Sequence, residues 1–168
     1  MKILFEFDEK KCSACGACAV ACMDQNDVDV AAGQEHYRKV YQYESGDDMV
    51  CISIACLHCP DAPCVTACPV GCLYKDPATG LTRYDTTHCI GCHSCAMACP
   101  YGVPSFGPDG KMVKCDGCYV RVHHGLLPAC VKACPTKALR LIDLDAPAEI
   151  PPEHSLRQRS LALLERQV

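Results

Sequence analysis

Hydrophobic and polar positions alternate along this chain only in short bursts. The segment Ile3–Phe7 (ILFEF) is one, and Leu139–Leu144 (LRLIDL), near the other end, is its expected antiparallel partner. The stretch VYQYESGDDMVCISI, Val40 to Ile54, reads as two strands around a turn at Glu44–Asp48, with Gly46 supplying the permissive backbone. Leu81–Tyr84 is a further strand, belonging to a different unit. Helical periodicity appears past Ser155, where Leu156, Leu161, Leu164 and Val168 share a face opposite Arg157, Arg159 and Arg166. Pro147, Pro151 and Pro152 set that expected helix of about fourteen residues apart from the last strand. Nowhere does an apolar run approach the roughly 18–20 residues that span a bilayer.

What separates these bursts is cysteine. Sixteen of the 18 cysteines fall into four groups: Cys12, Cys15, Cys18, Cys22; Cys56, Cys59, Cys64, Cys68; Cys89, Cys92, Cys95, Cys99; and Cys115, Cys118, Cys130, Cys134. Groups one and three follow C-x2-C-x2-C-x3-C, and Pro69, Pro100 and Pro135 give groups two, three and four a Cys-Pro ending. That spacing is the signature of the bacterial 4Fe–4S site. Three cysteines at intervals of three wrap a short loop around one face of a cubane, so each thiolate reaches a different iron. The fourth has begun a helix and points away, which is why in two-cluster ferredoxins it binds the other cluster. Small loop residues such as Ser13, Ala14, Gly16, Gly91 and Ser94 leave backbone N–H groups free to approach sulfur.

Composition narrows the chemistry further. The hydrophobic fraction of 49% overstates the core, because the 18 cysteines supply about 11 of those points. With no Trp, three Phe, 11 Gly and 12 Pro, apolar burial alone would stabilise the chain poorly, and metal-free protein is expected to be largely disordered. A secreted disulfide scaffold is disfavoured, since MKILFEFDEK has no apolar signal region. Tetrahedral zinc needs neither a third cysteine at the same short interval nor a Cys-Pro ending. The formal charge of −4 falls to roughly −12 once thiolates and cluster cores are counted, which excludes nucleic acid as a natural partner. His58, His88 and His93 sit beside cysteines but are expected near the metal rather than on it, since cysteine completes each quartet. The many thiols point to a reducing, anaerobic cytoplasm, with co-export beside a signal-bearing partner as the other route.

Groups two and three lie close together and read as one two-cluster ferredoxin, leaving groups one and four to pair across it. The resulting nested ligand sets are Cys12, Cys15, Cys18, Cys134; Cys115, Cys118, Cys130, Cys22; Cys56, Cys59, Cys64, Cys99; and Cys89, Cys92, Cys95, Cys68. Spacing favours this pairing without compelling it. It divides the chain into an outer ferredoxin-like domain (1–50 plus 105–145), an inserted one (51–104) and a C-terminal linker and helix (146–168). The basic stretch Tyr119–Ala129, with Arg121, His123 and His124, reads as a solvated loop or a docking surface. Cys51 and Cys72 fall outside the pattern and are expected to be inert packing residues.

The strings FEFDEKKCSACGACAVAC, SIACLHCPDAPCVTACPVG, THCIGCHSCAMACPYGVPSF and MVKCDGCYVRVHHGLLPACVKACPTKAL resemble the iron–sulfur B subunits of molybdenum and tungsten oxidoreductases, most nearly the dimethyl sulfoxide reductase electron-transfer family. The resemblance implies an α+β fold of two ferredoxin-like dicluster domains related by pseudo-twofold symmetry, with small helices and short antiparallel strands. It also implies four 4Fe–4S clusters and a partner holding a molybdenum or tungsten bis-pyranopterin. A second redox partner, whether a flavin, hydrogenase or quinone-reactive membrane subunit, would complete the circuit. Subunits of this layout also serve formate dehydrogenases, hydrogen-dependent carbon dioxide reductases and tungsten aldehyde oxidoreductases, some of which self-associate into filaments. The expected role is electron transfer without catalysis: no P-loop, no Gly-rich dinucleotide fingerprint and no nucleophile–base pair is present. The rival readings are a free-standing soluble polyferredoxin and a self-contained reductase, and the latter would need a quartet short of one cysteine.

Overall fold

A computed structural model describes residues 2–46 and 48–145. The expected C-terminal helix lies outside the described residues. The elements are β1 (Ile3–Phe7), α1 (Ala17–Gln25), β2 (Lys39–Ser45), β3 (Asp48–Ile54), α2 (Pro63–Thr66), β4 (Leu73–Lys75) and β5 (Thr82–Tyr84). There follow α3 (Ser94–Ala98), β6 (Ser105–Phe106), β7 (Met112–Val113), α4 (Tyr119–His123), α5 (Ala129–Ala133) and β8 (Leu139–Asp143). The strands form four separate two-stranded antiparallel sheets, β1–β8, β2–β3, β4–β5 and β6–β7. Short helices and paired short strands of this kind are the ferredoxin-like architecture the cysteine spacing predicts.

The outermost sheet closes the chain on itself. Phe7 pairs with Leu139 and Ile3 with Asp143, so residues far apart in sequence are joined before any metal is considered. β1 departs from clean alternation because both its faces are covered: Phe5, Glu6 and Phe7 are all buried. Glu6 is tolerated there because Nη2 of Arg140, its cross-strand partner, lies 2.7 Å from its carboxylate. The β2–β3 hairpin runs from Lys39↔Ile54 to Ser45↔Asp48, as the Gly46 turn predicts.

Two small apolar clusters make up the core. One gathers Ile3, Phe5, Phe7, Leu81, Val122, Val131, Ala138 and Leu139 with several cysteines; the other gathers Ala62, Leu73 and Met112 with Cys64 and Cys95. Leu81, from the middle of the chain, is wholly buried in the first cluster, and the Ile3 amide donates to the Thr79 carbonyl at 3.0 Å. The segment between the second and third cysteine groups is therefore packed against both β1 and β8.

Tyr119–Ala129 is not a plain loop. Its first half is the helix α4, started by Asp116, whose carboxylate accepts from the Cys118 and Tyr119 amides. Arg121 is committed internally, its guanidinium donating to the Leu127 carbonyl at 2.8 Å and to Gln25. A helix of five residues leaves too little periodic pattern to be read from sequence. The helices also begin earlier than the cysteine pattern suggests: α1 and α3 open just before the third cysteine of their groups, and Cys99 and Cys134 stand at helix C-termini.

Leu81→Ala is expected to destabilise the metal-loaded chain by about 2–5 kcal/mol, since a fully buried leucine leaves a cavity in a core this small. Anaerobic denaturant titration followed by cluster absorbance checks it, and an unchanged midpoint would show that the apolar cluster contributes little.

Candidate metal centres

Each cysteine group opens on the same backbone device. The residue immediately before the second cysteine has a positive φ in all four groups: Ala14 (52°), His58 (50°), Gly91 (64°) and Gly117 (77°). A left-handed residue following right-handed or extended ones turns successive N–H groups to one side, forming an anion-binding nest. Two of the four are not glycine and carry a strain of order 1–2 kcal/mol each. At Gly91 a Cβ would stand 2.6 Å from the Gly110 carbonyl oxygen, which excludes a side chain, and at Gly117 it would stand 2.6 Å from a methyl of buried Leu81, which would have to shift. The loop shape thus recurs four times in different local sequences.

The loops bring the sulfurs together in sets. Cys12, Cys15, Cys18 and Cys134 line one cavity; Cys56, Cys59, Cys64 and Cys99 line a second; Cys68, Cys89, Cys92 and Cys95 line a third. The three cavities are small and closely similar in size. Cys22, Cys115, Cys118 and Cys130 form the remaining set and are all buried. Their proximity shows in their ionisation: burial pushes Cys22 up to about 12, with the charge of Cys130 adding to the effect, Arg38 opposing it and Cys118 adding again. Among the described residues no three His, Cys, Asp or Glu side chains close on a single ion.

The helices explain how distant cysteines meet. α1 packs on α5, and α2 on α3. α1 carries Cys18 to the first set and Cys22 to the fully buried one, while α5 carries Cys130 to the buried set and delivers Cys134, at its end, to the first. The α2–α3 pair does the same with Cys64, Cys68, Cys95 and Cys99.

Hydrogen bonding at the sulfurs repeats too. Burial would raise the Cys68 thiol, but amides of Val70, Cys72 and Leu73 outweigh it and hold the thiol below its usual range. For Cys134 burial is likewise outweighed, by amides of Leu139, Ala138 and Thr136 and by the Thr136 hydroxyl. The donors sit two, four and five residues beyond the cysteine in both cases. The Ser94 hydroxyl and amide lower exposed Cys92 as well, whereas at buried Cys64 and Cys115 burial dominates, pushing Cys64 up to about 11 and Cys115 well above the thiol range. Such buried thiols give up their protons only against a compensating positive charge, which ligated iron supplies. On these counts the donor set fits iron–sulfur clusters.

Position beside the cysteines marked His58 and His93, but spacing could not reveal the other polar residues around the sulfurs. Arg38 is buried, and its Nη1 donates to the Ser53 hydroxyl at 3.0 Å, which in turn lies 3.3 Å from Cys18 Sγ. Burial would lower Arg38, but the charges of Cys130, Cys115, Cys18 and Cys22 outweigh this and keep the guanidinium charged. Lys75 donates to the carbonyls of His58 (3.0 Å) and Cys59 (2.8 Å), tying down the second loop. His93 stacks on Phe106 with 3.7 Å between ring centroids, a wall of the third cavity. Cys72 is also more than filler. It is buried, lines that same cavity, and its amide donates to Cys68 Sγ at 3.2 Å.

The chain matches the 4Fe–4S dicluster domain family over residues 47–144. It is 37% identical to the B subunit of the anaerobic dimethyl sulfoxide reductase of Haemophilus influenzae, over 84% of this chain and 74% of that one. It is 38% identical to the thiosulfate reductase electron transfer subunit of Salmonella typhi, over 82% and 74%. It is 34% identical to the formate dehydrogenase iron–sulfur subunit of Wolinella succinogenes, over 95% and 90%.

Removing either cysteine outside the four groups should leave iron content unchanged. Anaerobic iron and sulfide assays on Cys51→Ala and Cys72→Ala check this, and a loss of about four irons in either variant would make that residue a ligand.

Proposed function

Because the chain belongs to the 4Fe–4S dicluster electron-transfer subunits of oxidoreductase complexes, we propose that it holds four 4Fe–4S clusters in line, as a relay between two redox partners. One partner is a catalytic subunit with a molybdenum or tungsten bis-pyranopterin. The other is a flavin, hydrogenase or quinone-reactive membrane subunit. The proposed ligands are the nested sets: Cys12, Cys15, Cys18, Cys134; Cys22, Cys115, Cys118, Cys130; Cys56, Cys59, Cys64, Cys99; and Cys68, Cys89, Cys92, Cys95. Each cluster, when bound, supplies one-electron redox chemistry, and the chain supplies position and environment.

The observation that carries the reading is the order of burial. Sets one and two share α1 and α5, sets three and four share α2 and α3, and Cys115 feels the charge of Cys56, which makes the two middle sets neighbours. At the two ends of this series Cys15 and Cys92 are exposed, whereas the second set is buried throughout. A series whose most exposed cysteines stand at its two ends, with Cys64 buried and Cys56, Cys59 and Cys99 half-buried in the third set, is what a conductor between two surfaces needs. Beside Cys92 the side chain of Ile90 is 64% exposed, and Met97 on α3 is 78% exposed, apolar surface of the kind that partner contacts cover. Among the described residues no helix is long and apolar enough to cross a membrane, so contact with a quinone pool would run through a partner. The repeated nests, paired helices and matched amide donors support two ferredoxin-like units related by pseudo-twofold symmetry, an outer one (1–50 with 105–145) and an inserted one (51–104).

Anaerobic purification with bound partners is the decisive experiment. About sixteen irons per chain are expected, together with a large molybdenum- or tungsten-containing subunit. Cys22→Ser should disturb the cluster of Cys115, Cys118 and Cys130, and Cys134→Ser that of Cys12, Cys15 and Cys18. About twelve irons, or a change in the other cluster of the pair, would overturn the assignment. A stable monomer with sixteen irons and no partner would make the chain a free-standing polyferredoxin instead.

A further inference from the structure

Two buried side chains cross between the middle sets of cysteines. His58 belongs to the Cys56–Cys59 loop, yet its Nε2 stands 3.7 Å from Sγ of Cys115, in the neighbouring set. Lys114 directly precedes Cys115, yet its Nζ stands 3.8 Å from Sγ of Cys56. Each loop therefore sends a donor to a sulfur of the other. Neither side chain is a surface residue that wandered in, since His58 is 5% exposed and Lys114 1%.

Both are held in place. The His58 ring stacks on Phe5, with centroids 5.5 Å apart and planes 28° from parallel. The opposite neighbour is Gly117, where a Cβ would stand 3.3 Å from Cε1 of His58. The ring's tautomer follows from its hydrogen bonds. The Thr82 amide donates to Nδ1 at 3.0 Å, so Nδ1 keeps its lone pair and the proton sits on Nε2, facing Cys115. Lys114 is anchored by the carbonyls of Thr82 and, at 2.8 Å, of Cys115, and its third donor is directed at Cys56. Thr82 thus fixes both crossing residues through its own backbone N–H and C=O, and its hydroxyl accepts from Lys75 at 3.1 Å.

We infer that His58 and Lys114 are reciprocal positioning residues, each setting the reduction potential of the cluster whose binding loop it does not belong to. The inference rests on the four-cluster ligation proposed above. An N–H aimed at a ligand sulfur draws electron density from it and favours the reduced cluster, and the Lys114 ammonium adds a positive charge to that effect. His58 also supplies a continuous path of covalent bonds and one hydrogen bond from the Cys56–Cys59 loop to Cys115. The step at the centre of the series, where no helix is shared, thereby gains both a route and matched potentials.

The test is an EPR-monitored redox titration of the complete, anaerobically purified complex. Cys115→Ser and Cys56→Ser identify the signals of the two clusters. His58→Phe keeps the ring stack and loses the donor, and Lys114→Met keeps the stem and loses the charge. With about sixteen irons retained, His58→Phe should make the Cys115 cluster about tenfold harder to reduce, a fall of ~59 mV for a one-electron couple. Lys114→Met should do the same to the Cys56 cluster, while His58→Gln and Lys114→Arg, which restore a donor, should recover part of each shift. Unchanged midpoints with full iron would overturn the inference, as would both variants moving one and the same cluster. Iron loss in the Phe and Met variants that Gln and Arg fail to rescue would overturn it too, making the pair structural supports. A wild-type protein with other than four titrating clusters would instead strike at the ligation itself.

Discussion

Sulfur–iron bonding is the constraint under which the rest of this chain is arranged. The strands are two to seven residues long, most helices make barely one turn, and the apolar clusters are built partly from cysteine. Such elements do not bury enough carbon to offset the entropy of ordering a chain of this length. Ligand bonds from distant segments to shared clusters change that balance, because binding free energy becomes folding free energy. The strained nests and the buried thiols are intelligible only in that light. Both oppose folding by themselves, and both become favourable around a cluster, whose cationic core stabilises the thiolates while the nests' N–H groups face the net negative charge of the ligated whole.

Burying that much negative charge requires positive charge beside it. Lysine and arginine are almost never fully buried unless paired, yet Arg38 and Lys114 are both under 5% exposed. Their partners are carbonyls, the Ser53 hydroxyl and cysteine sulfurs rather than carboxylates. Arg38 lies among the cysteines of the first two sets, and Lys114 between the second and third. The cations stand between neighbouring cysteine sets, where under the proposed ligation one charge would act on two clusters.

Much of the fold was legible from spacing and alternation. The β1–β8 pairing and the β2–β3 hairpin around Gly46 follow from short alternating segments and one turn residue, because these signals are local. Helix α4 was missed because a single turn carries no period, and its real cue, Asp116 two and three residues ahead of the amides it caps, is weak alone. At the site, cysteine positions announced the chemistry and marked His58 as a neighbour of the sulfurs, though not of Cys115, whereas Thr82, Ser53 and Lys114 looked ordinary. Their roles depend on which strand passes which loop, a property of tertiary packing with no counterpart in local sequence. Cys72 stands between these cases: its type was visible, its place against Cys68 was not.

The sharing of helices has a consequence for how such a protein fails. Under the proposed ligation, α1 and α5 each hold one cluster with one cysteine and the neighbouring cluster with another. Oxygen attacking the exposed site at Cys15 would therefore slacken a helix that its buried neighbour also depends on. Damage would spread first within a pair and reach the other pair only across the contacts between the two units, where no helix is shared. The molecule would then be lost by halves, and a repair system would meet a chain with two clusters gone and two intact.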